Sequence, residues 1–320
     1  MGSRIVTTHE ALSESYIPQN ILHREKELTQ LSSAISVVNT FVYGPTGSGK
    51  TLLIKKAIQD LNAKSSGMAI YIDCCLYQTT NAIFHEILLS MNTIVSSKSN
   101  YALTKRLKER VRRLDHGLSI CLDHFERLKE IETVNRLLSL EIKLVIVSDS
   151  HETFRKLNSM GKANITNMIE IPNYTVDQAS DILFDRTREA LEGTAYSDET
   201  IRKIAQAGSG NITLALNLLR SQVLKAESEG KNSIDEVEFN FENDCPNDKL
   251  SDDERTLIKI LKESKSMPGG RLFDFYREQA RYPKGKRSFR NYMQDLCLKG
   301  LVKNIGDRRG RIYEIVQELG

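Results

Sequence analysis

The sequence predicts an α/β protein: a doubly wound parallel sheet, then an all-helical unit, then three helices closed by a β-hairpin. Three observations carry that prediction. Up to Pro172, apolar runs of strand length alternate with helical periods, and the runs stay apolar throughout, as in a sheet covered by helices on both faces. One strand-to-helix turn has the spacing G-x-x-x-x-G-K-T. Beyond Tyr174 the pattern turns wholly helical and ends in a basic, hairpin-like segment.

The turn is the most informative stretch. Phe41, Val42 and Tyr43 read as a buried strand, Gly44-Pro45-Thr46-Gly47-Ser48-Gly49-Lys50-Thr51 as the turn, and the residues to Leu61 as a helix. Gly47 and Gly49 let the backbone bend tightly enough for successive N–H groups to face phosphate oxygens. Lys50 is placed to neutralise terminal phosphates, Thr51 to ligate Mg²⁺, and the helix to add its positive N-terminal end. The expected cofactors are therefore ATP or ADP with Mg²⁺.

In chain order, residues 1 to 15 are polar and read as irregular and mobile. Leu28, Leu31, Ile35 and Val38 give a first helix, with Ile17, Pro18 and Arg24 read either as wrapping a nucleotide base or as packing that helix. Met68–Asp73 is the second strand, and helices follow near Thr80 to Met91 and Ala102 to Leu114. The cations of the second of these, Lys105 to Arg113, read as a solvated face or as a secondary phosphate contact. Leu118–Asp123 is the third strand. Its terminal Asp123 sits where a Walker B aspartate would join Thr51 in holding the ion. The next position, a water-activating Glu in many P-loop ATPases, is His124, whose imidazole lacks the carboxylate's charge. Glu126 follows two residues on. Lys143–Asp149 is the fourth strand, with Ser148 at its tip, and Met168–Pro172 the fifth.

Val176 to Leu191, Asp198 to Ala207 and Ile212 to Glu229 make a helical lid, with Tyr174 and Arg186 as candidate base and phosphate contacts. Polar residues 231 to 250 read as a connection. Ser251 then caps the first of three helices, whose apolar faces are Leu257/Ile258/Ile260/Leu261, Leu272/Phe273/Phe275/Tyr276 and Phe289/Tyr292/Met293/Leu296/Leu298. Leu301–Ile305 and Arg311–Val316 form a hairpin around Gly306–Gly310. Three helices and a basic-tipped hairpin are a winged helix, with Lys286, Arg287, Ser288, Arg290 and Asn291 free for a DNA groove and Arg308, Arg309 and Arg311 on the wing. The expected divisions are 1–173, 174–245 and 246–320.

Composition agrees. Net charge is +3 over 320 residues, but residues 271 to 320 hold 12 Lys/Arg against 6 Asp/Glu. A mildly acidic body with a basic end suits a polyanionic partner. Five scattered cysteines, none in C-x-x-C spacing, predict free thiols in a reducing compartment. No apolar run reaches the roughly 18 residues of a membrane span, so a cytoplasmic, nucleoid-associated protein is expected.

Taken together, YIPQNILHREKEL, GPTGSGKT, YIDCCLYQTTNAIFHEIL, LDHFERL, PNYTVDQASDILFDR, GNITLALNLLR and the winged helix resemble, in this order, the archaeal initiators related to the origin recognition complex and its helicase-loading partner. The resemblance implies an AAA+ fold, nucleotide contacts at Tyr174 and Arg186, a helical stretch after YIDCCLYQTT that approaches DNA, duplex origin DNA as ligand, and a replicative helicase and paralogous initiators as partners. It also marks departures. The family's Walker B Glu is His124 here, its sensor Asn is Ser148, its lid sensor Arg falls on Thr213, and the inter-subunit Arg has only Arg155 and Lys162 nearby. Lost charges of this kind predict weak or absent ATP hydrolysis. An active loader of mobile-element type and a winged-helix transcription regulator fit the same motifs.

Overall fold

The computed structural model describes residues 5–64, 67–94, 99–236, 251–280, 283–298, 301–305 and 311–315. Contacts divide the chain into one unit, Ile17–Asn173, and a second that joins residues 5–16 to the described residues from Tyr174 on.

In the first unit, β1 (Thr40–Tyr43), β2 (Met68–Asp73), β3 (Leu118–Asp123), β4 (Lys143–Ser148) and β5 (Asn167–Glu170) form a parallel sheet in the order β2-β3-β4-β1-β5. Helices α1 (Glu25–Ala34), α2 (Lys50–Ala63), α3 (Thr80–Ser90), α4 (Asn100–Val111), α5 (Glu132–Leu138) and α6 (Ser159–Asn164) connect and cover the strands. Side chains alternate between two cores. Phe41, Ile120, Leu122, Leu144 and Ile146 pack with Ile83, Phe84, Leu103 and Leu107 of α3 and α4. Val42, Cys121, Val145 and Val147 pack with Leu31 of α1 and Leu53, Ile54 and Ala57 of α2. Both faces are buried, which is why the strands read as continuous apolar runs rather than as alternating ones. Register sets Tyr43 beside Ser148 and Asp73 beside Asp123, so the strand tips carrying the chemistry are level. The fold is the α/β AAA+ arrangement with a helical lid, as the sequence predicts.

The lid is α7 (Val176–Ala190), α8 (Asp198–Gly208) and α9 (Ile212–Ser228). Thr175 and Gln178 close a capping box on α7. Ile201, Ile204, Ala205 and Gly208 form one stripe of α8, and Gly208 lets α9 approach so closely that a Cβ there would lie 2.7 Å from that of Ala215. The N-terminal segment overturns its expectation of mobility. Val6 bridges Leu191, His9–Leu12 form a short 3-10 helix, and Ile5, Val6, Ala11 and Leu12 are at most 2% exposed within the lid core. Three of these side chains, Ile5, Val6 and Leu12, each worth about 1.5–3 kcal/mol on burial, hold it there.

The C-terminal elements are α10 (Asp252–Ser264), β6 (Ser266–Pro268), α11 (Gly269–Gln279), α12 (Lys286–Leu298), β7 (Val302–Ile305) and β8 (Ile312–Ile315). A Ser251/Glu254 capping box starts α10. The three strands form an antiparallel sheet in the order β6-β8-β7, so a short strand ending in Pro268 joins the expected hairpin. Leu257, Leu261, Leu272, Tyr276, Met293 and Leu296 make the core. Phe275, expected on an apolar face, is instead 38% exposed. Arg308 and Arg309 lie outside the described residues, as does most of the expected connection before Ser251.

Candidate functional site

The Gly44–Thr51 turn is built from backbone. Gly47 and Gly49 take left-handed φ values of 80° and 90°, a region costly for any residue with a Cβ. Gly44 is required for space: a Cβ there would lie 1.9 Å from the Ile171 carbonyl oxygen. Lys50, 7% exposed at the start of α2, donates from Nζ to the Gly44 and Pro45 carbonyls at 2.8 Å and lies 3.0 Å from Asp149 Oδ1. Ser48 Oγ is buried with no hydrogen-bond partner among the described residues. A buried cation, a buried unpaired hydroxyl and a helix N-terminus fit an anionic phosphate group.

Beside the turn, Thr51 Oγ1 donates to Asp123 Oδ2 at 2.7 Å, and Asp123 is 2% exposed. The Tyr71 hydroxyl donates to the same oxygen at 2.9 Å, and the His124 amide to Asp123 Oδ1 at 2.8 Å. Burial, then the Asp123 charge, raises the Tyr71 pKa, so it stays a donor. Tyr71 is a site residue that sequence reading missed. Its strand position on a covered face marks it only as core. Thr51 and Asp123 offer the hard oxygen donors that Mg²⁺ takes.

The other side of the strand tips is organised differently. His124 has φ 52°, and its Nδ1 lies 3.1 Å from Asp73 Oδ1 but 4.0 Å from Asp123 Oδ2, so the ring is turned toward the tip of β2. Ser148 Oγ donates to Glu126 Oε2 at 3.0 Å, while Glu126 Oε1 is buried without a partner among the described residues. Burial first, and Asp149 second, push the Glu126 carboxyl above its ordinary value. Sequence reading left the reach of Glu126 open; the geometry ties it to Ser148. Burial and Asp73 likewise push the Cys75 thiol up to about 12. Arg155 and Lys162, the candidates for an inter-subunit Arg, are both exposed, and Arg24 is buried and donates to the Pro172 carbonyl.

In the second unit, Tyr174 is 5% exposed within the lid core and Arg186 is 3% exposed. Arg186 donates to the Ala11 and Tyr16 carbonyls at 3.4 and 3.3 Å and stacks 4.6 Å over the Tyr16 ring. It clamps the N-terminal segment to α7. Thr213 is half-buried in the first turn of α9. In the C-terminal elements Lys286, Arg290 and Arg311 line one groove of about 610 Å³ together with Phe273, Phe289 and Tyr313. Lys286 Nζ lies 5.7 Å over the Phe273 ring. Ser288 is half-buried and Asn291 exposed on the same helix, outside the groove lining, and the Arg287 side chain is not among those described.

Two family models match this chain: an AAA domain over residues 39–155 and a Cdc6 AAA+ ATPase-type lid domain over residues 180–239. The first covers β1 to β4 and the turn, the second the lid from within α7 onward. The ORC1-type DNA replication protein 9 of Halobacterium salinarum is 22% identical over 95% of this chain and 92% of its own length. The chain belongs to the archaeal ORC1/Cdc6-type AAA+ initiator family. Among solved structures, the Aeropyrum pernix ORC1 protein in complex with DNA shares the fold at a TM-score of 0.73 and 21% identity, covering 99% of this chain and 95% of that one. The Aeropyrum pernix ORC2 protein, solved as ADPNP-ADP complexes, does so at 0.65 and 17%, with the same coverage. As an AAA+ ATPase of ORC1/Cdc6 type, the chain belongs to proteins that bind nucleotides such as ATP and ADP. None of its described helices is long and apolar enough to cross a membrane. Cys74, Cys75, Cys121 and Cys297 are free thiols.

Proposed function

We propose that this ORC1/Cdc6-type chain is an origin-binding initiator that holds ATP or ADP with Mg²⁺ at Gly44–Thr51 and Asp123, and hydrolyses ATP slowly or not at all. One observation carries the reading. Asp123 stays aimed at Thr51, at 2.7 Å, while the residue after it is an imidazole turned onto Asp73. The groups for holding the nucleotide are intact, and the carboxylate that would take a proton from water is replaced. Mg²⁺, when bound, supplies charge neutralisation between the phosphates. The protein's own part is to cradle phosphate with the turn amides and Lys50. His124→Glu is expected to raise steady-state turnover by on the order of 10²-fold, the low end for a restored general base. Unchanged turnover would move the cause elsewhere, to Ser148 or Thr213.

A second reading, an active ATPase, is favoured by Glu126. Its carboxyl is buried, shifted toward neutrality and bonded to Ser148. If wild-type turnover is fast and Glu126→Gln abolishes it, that reading replaces the first.

DNA binding is assigned to the C-terminal elements as a winged helix that engages duplex origin DNA, with a replicative helicase and paralogous initiators as further partners. Support comes from Lys286, Arg290 and Arg311 converging on one face, with Arg287, Ser288, Asn291, Arg308 and Arg309 completing the sequence-based set. Lys286→Ala, Arg290→Ala and Arg311→Ala together should reduce the slope of log K against log salt by about 3, near 0.9 for each phosphate no longer neutralised. An unchanged slope removes this face from the interface.

A further inference from the structure

Three side chains at the tips of β2 and β3, Asp73, Cys75 and His124, are not among the groups proposed to hold the nucleotide. We propose that they form a binding site for a divalent transition-metal ion of borderline softness, with zinc as the reference ion, separate from the Thr51–Asp123 magnesium position. Asp73 Oδ1, Cys75 Sγ and His124 Nδ1 offer one oxygen, one sulfur and one nitrogen donor, all within 4.8 Å of one another. Two ligands bonded to a tetrahedral zinc at about 2.0–2.1 Å lie roughly 3.4 Å apart. Asp73 Oδ1 and His124 Nδ1 are 3.1 Å apart, so that edge of the tetrahedron is nearly formed.

The backbone holds the set in place. Asp73 is register partner to Asp123, which fixes the two strand tips against each other. The Cys75 amide donates to Asp73 Oδ1 at 2.8 Å, folding the chain so that Cys75 returns toward the carboxylate. His124 adopts left-handed φ, a conformation unusual for a residue with a Cβ, and its ring thereby faces Asp73.

Access and charge fit as well. Cys75 is exposed, and the Asp73 and His124 side chains are 26% and 34% exposed, which leaves an entry path and room for water in a fourth position. Carboxylate and thiolate together balance a divalent charge, and the thiol proton passes to solvent on binding. Sulfur and imidazole donors select zinc, cobalt or a similar ion, whereas Mg²⁺ requires oxygens in near-octahedral geometry. The neighbouring Cys74 is fully buried and outside the set.

The test is a Co²⁺ titration of the reduced full-length chain without nucleotide, followed by absorption. The expected result is the d–d bands of four-coordinate cobalt with a near-ultraviolet thiolate-to-cobalt charge-transfer band, saturating at a single ion per chain. Cys75→Ser should remove the charge-transfer band, while Cys297→Ser leaves it intact. Asp73→Asn and His124→Asn should each weaken binding by at least about 10-fold, a loss that even outer-sphere partners commonly cause. Zinc should raise the melting temperature of the wild type in a concentration-dependent way and leave that of Cys75→Ser unchanged, so a misfolded variant is recognised by its own baseline melt. A spectrum without the thiolate band, a band that survives in Cys75→Ser, or Asp73→Asn and His124→Asn affinities equal to wild type would each overturn the proposal. Cobalt bound at Thr51 and Asp123 alone gives no thiolate band.

Discussion

The two sides of the strand tips are held by different means. On the side of the Gly44–Thr51 turn, φ values at Gly47 and Gly49, the tight approach of Gly44 to Ile171 and the start of α2 fix the turn's path through the backbone. On the other side, position depends on pairs of side chains: His124 with Asp73, and Ser148 with Glu126. A backbone cradle tolerates change in what surrounds it, whereas a network of side chains is rewritten by single substitutions. On the function proposed here, nucleotide binding and hydrolysis are thereby separable, since the expected departures from the family's pattern, His124, Ser148, Thr213 and the missing inter-subunit Arg, are assigned to hydrolysis.

The difference between the two sides shows most strongly at Lys50. Lys50→Ala should weaken ATP binding by about 2–5 kcal/mol, the scale for removing one partner of a buried charge pair. His124→Ala should change it by less than about 1 kcal/mol. Calorimetry measures both, and equal losses would break the distinction. Next in size, Gly44→Ala should destabilise the fold by about 3 kcal/mol, seen as a lower denaturant midpoint, because the new methyl meets backbone that cannot move aside.

The smallest effect lies on the side-chain side and depends on pH. Glu126 has a folded pKa above its ordinary value of 4.5, so the native state binds the extra proton and stability falls as pH rises from the unfolded toward the folded pKa. Glu126→Gln removes that group. The variant should melt higher than wild type at pH 7, by roughly 1 kcal/mol, the scale of one unpaired buried polar atom, and the gap should close near pH 4. A gap that widens on acidification contradicts the burial argument.

Most of the first unit was legible in the sequence, for reasons found in particular residues. The turn requires glycine where φ is positive, and β2, β3 and β4 sit within one residue of their apolar runs because burial on both faces keeps their interiors apolar except at Ser119. The short helices α5 and α6 carry too few turns for a period to show. The N-terminal segment was misread because Ile5, Val6, Ala11 and Leu12 are buried by distant partners in α7 and its neighbours, which no local pattern records. Strand β6 was missed because three residues ending in proline give no strand signal, and it forms only through pairing with β8. At the candidate site, residue types pointed to Lys50, Thr51 and Asp123, and the fold pairs Thr51 with Asp123. The Tyr71–Asp123 and Ser148–Glu126 contacts depend on which strands are neighbours, and that became known only with the fold.

The central claim is that this chain keeps its nucleotide without consuming it. The direct measurement is a single-turnover experiment in which labelled ATP and Mg²⁺ are bound to the wild-type chain, chased with unlabelled ATP, and followed by the ratio of ATP to ADP on the protein. The expected outcome is one nucleotide retained per chain and still ATP after minutes. Conversion to ADP within about a second, as for an enzyme turning over near 10 per second, would contradict it, as would a chain that retains no label.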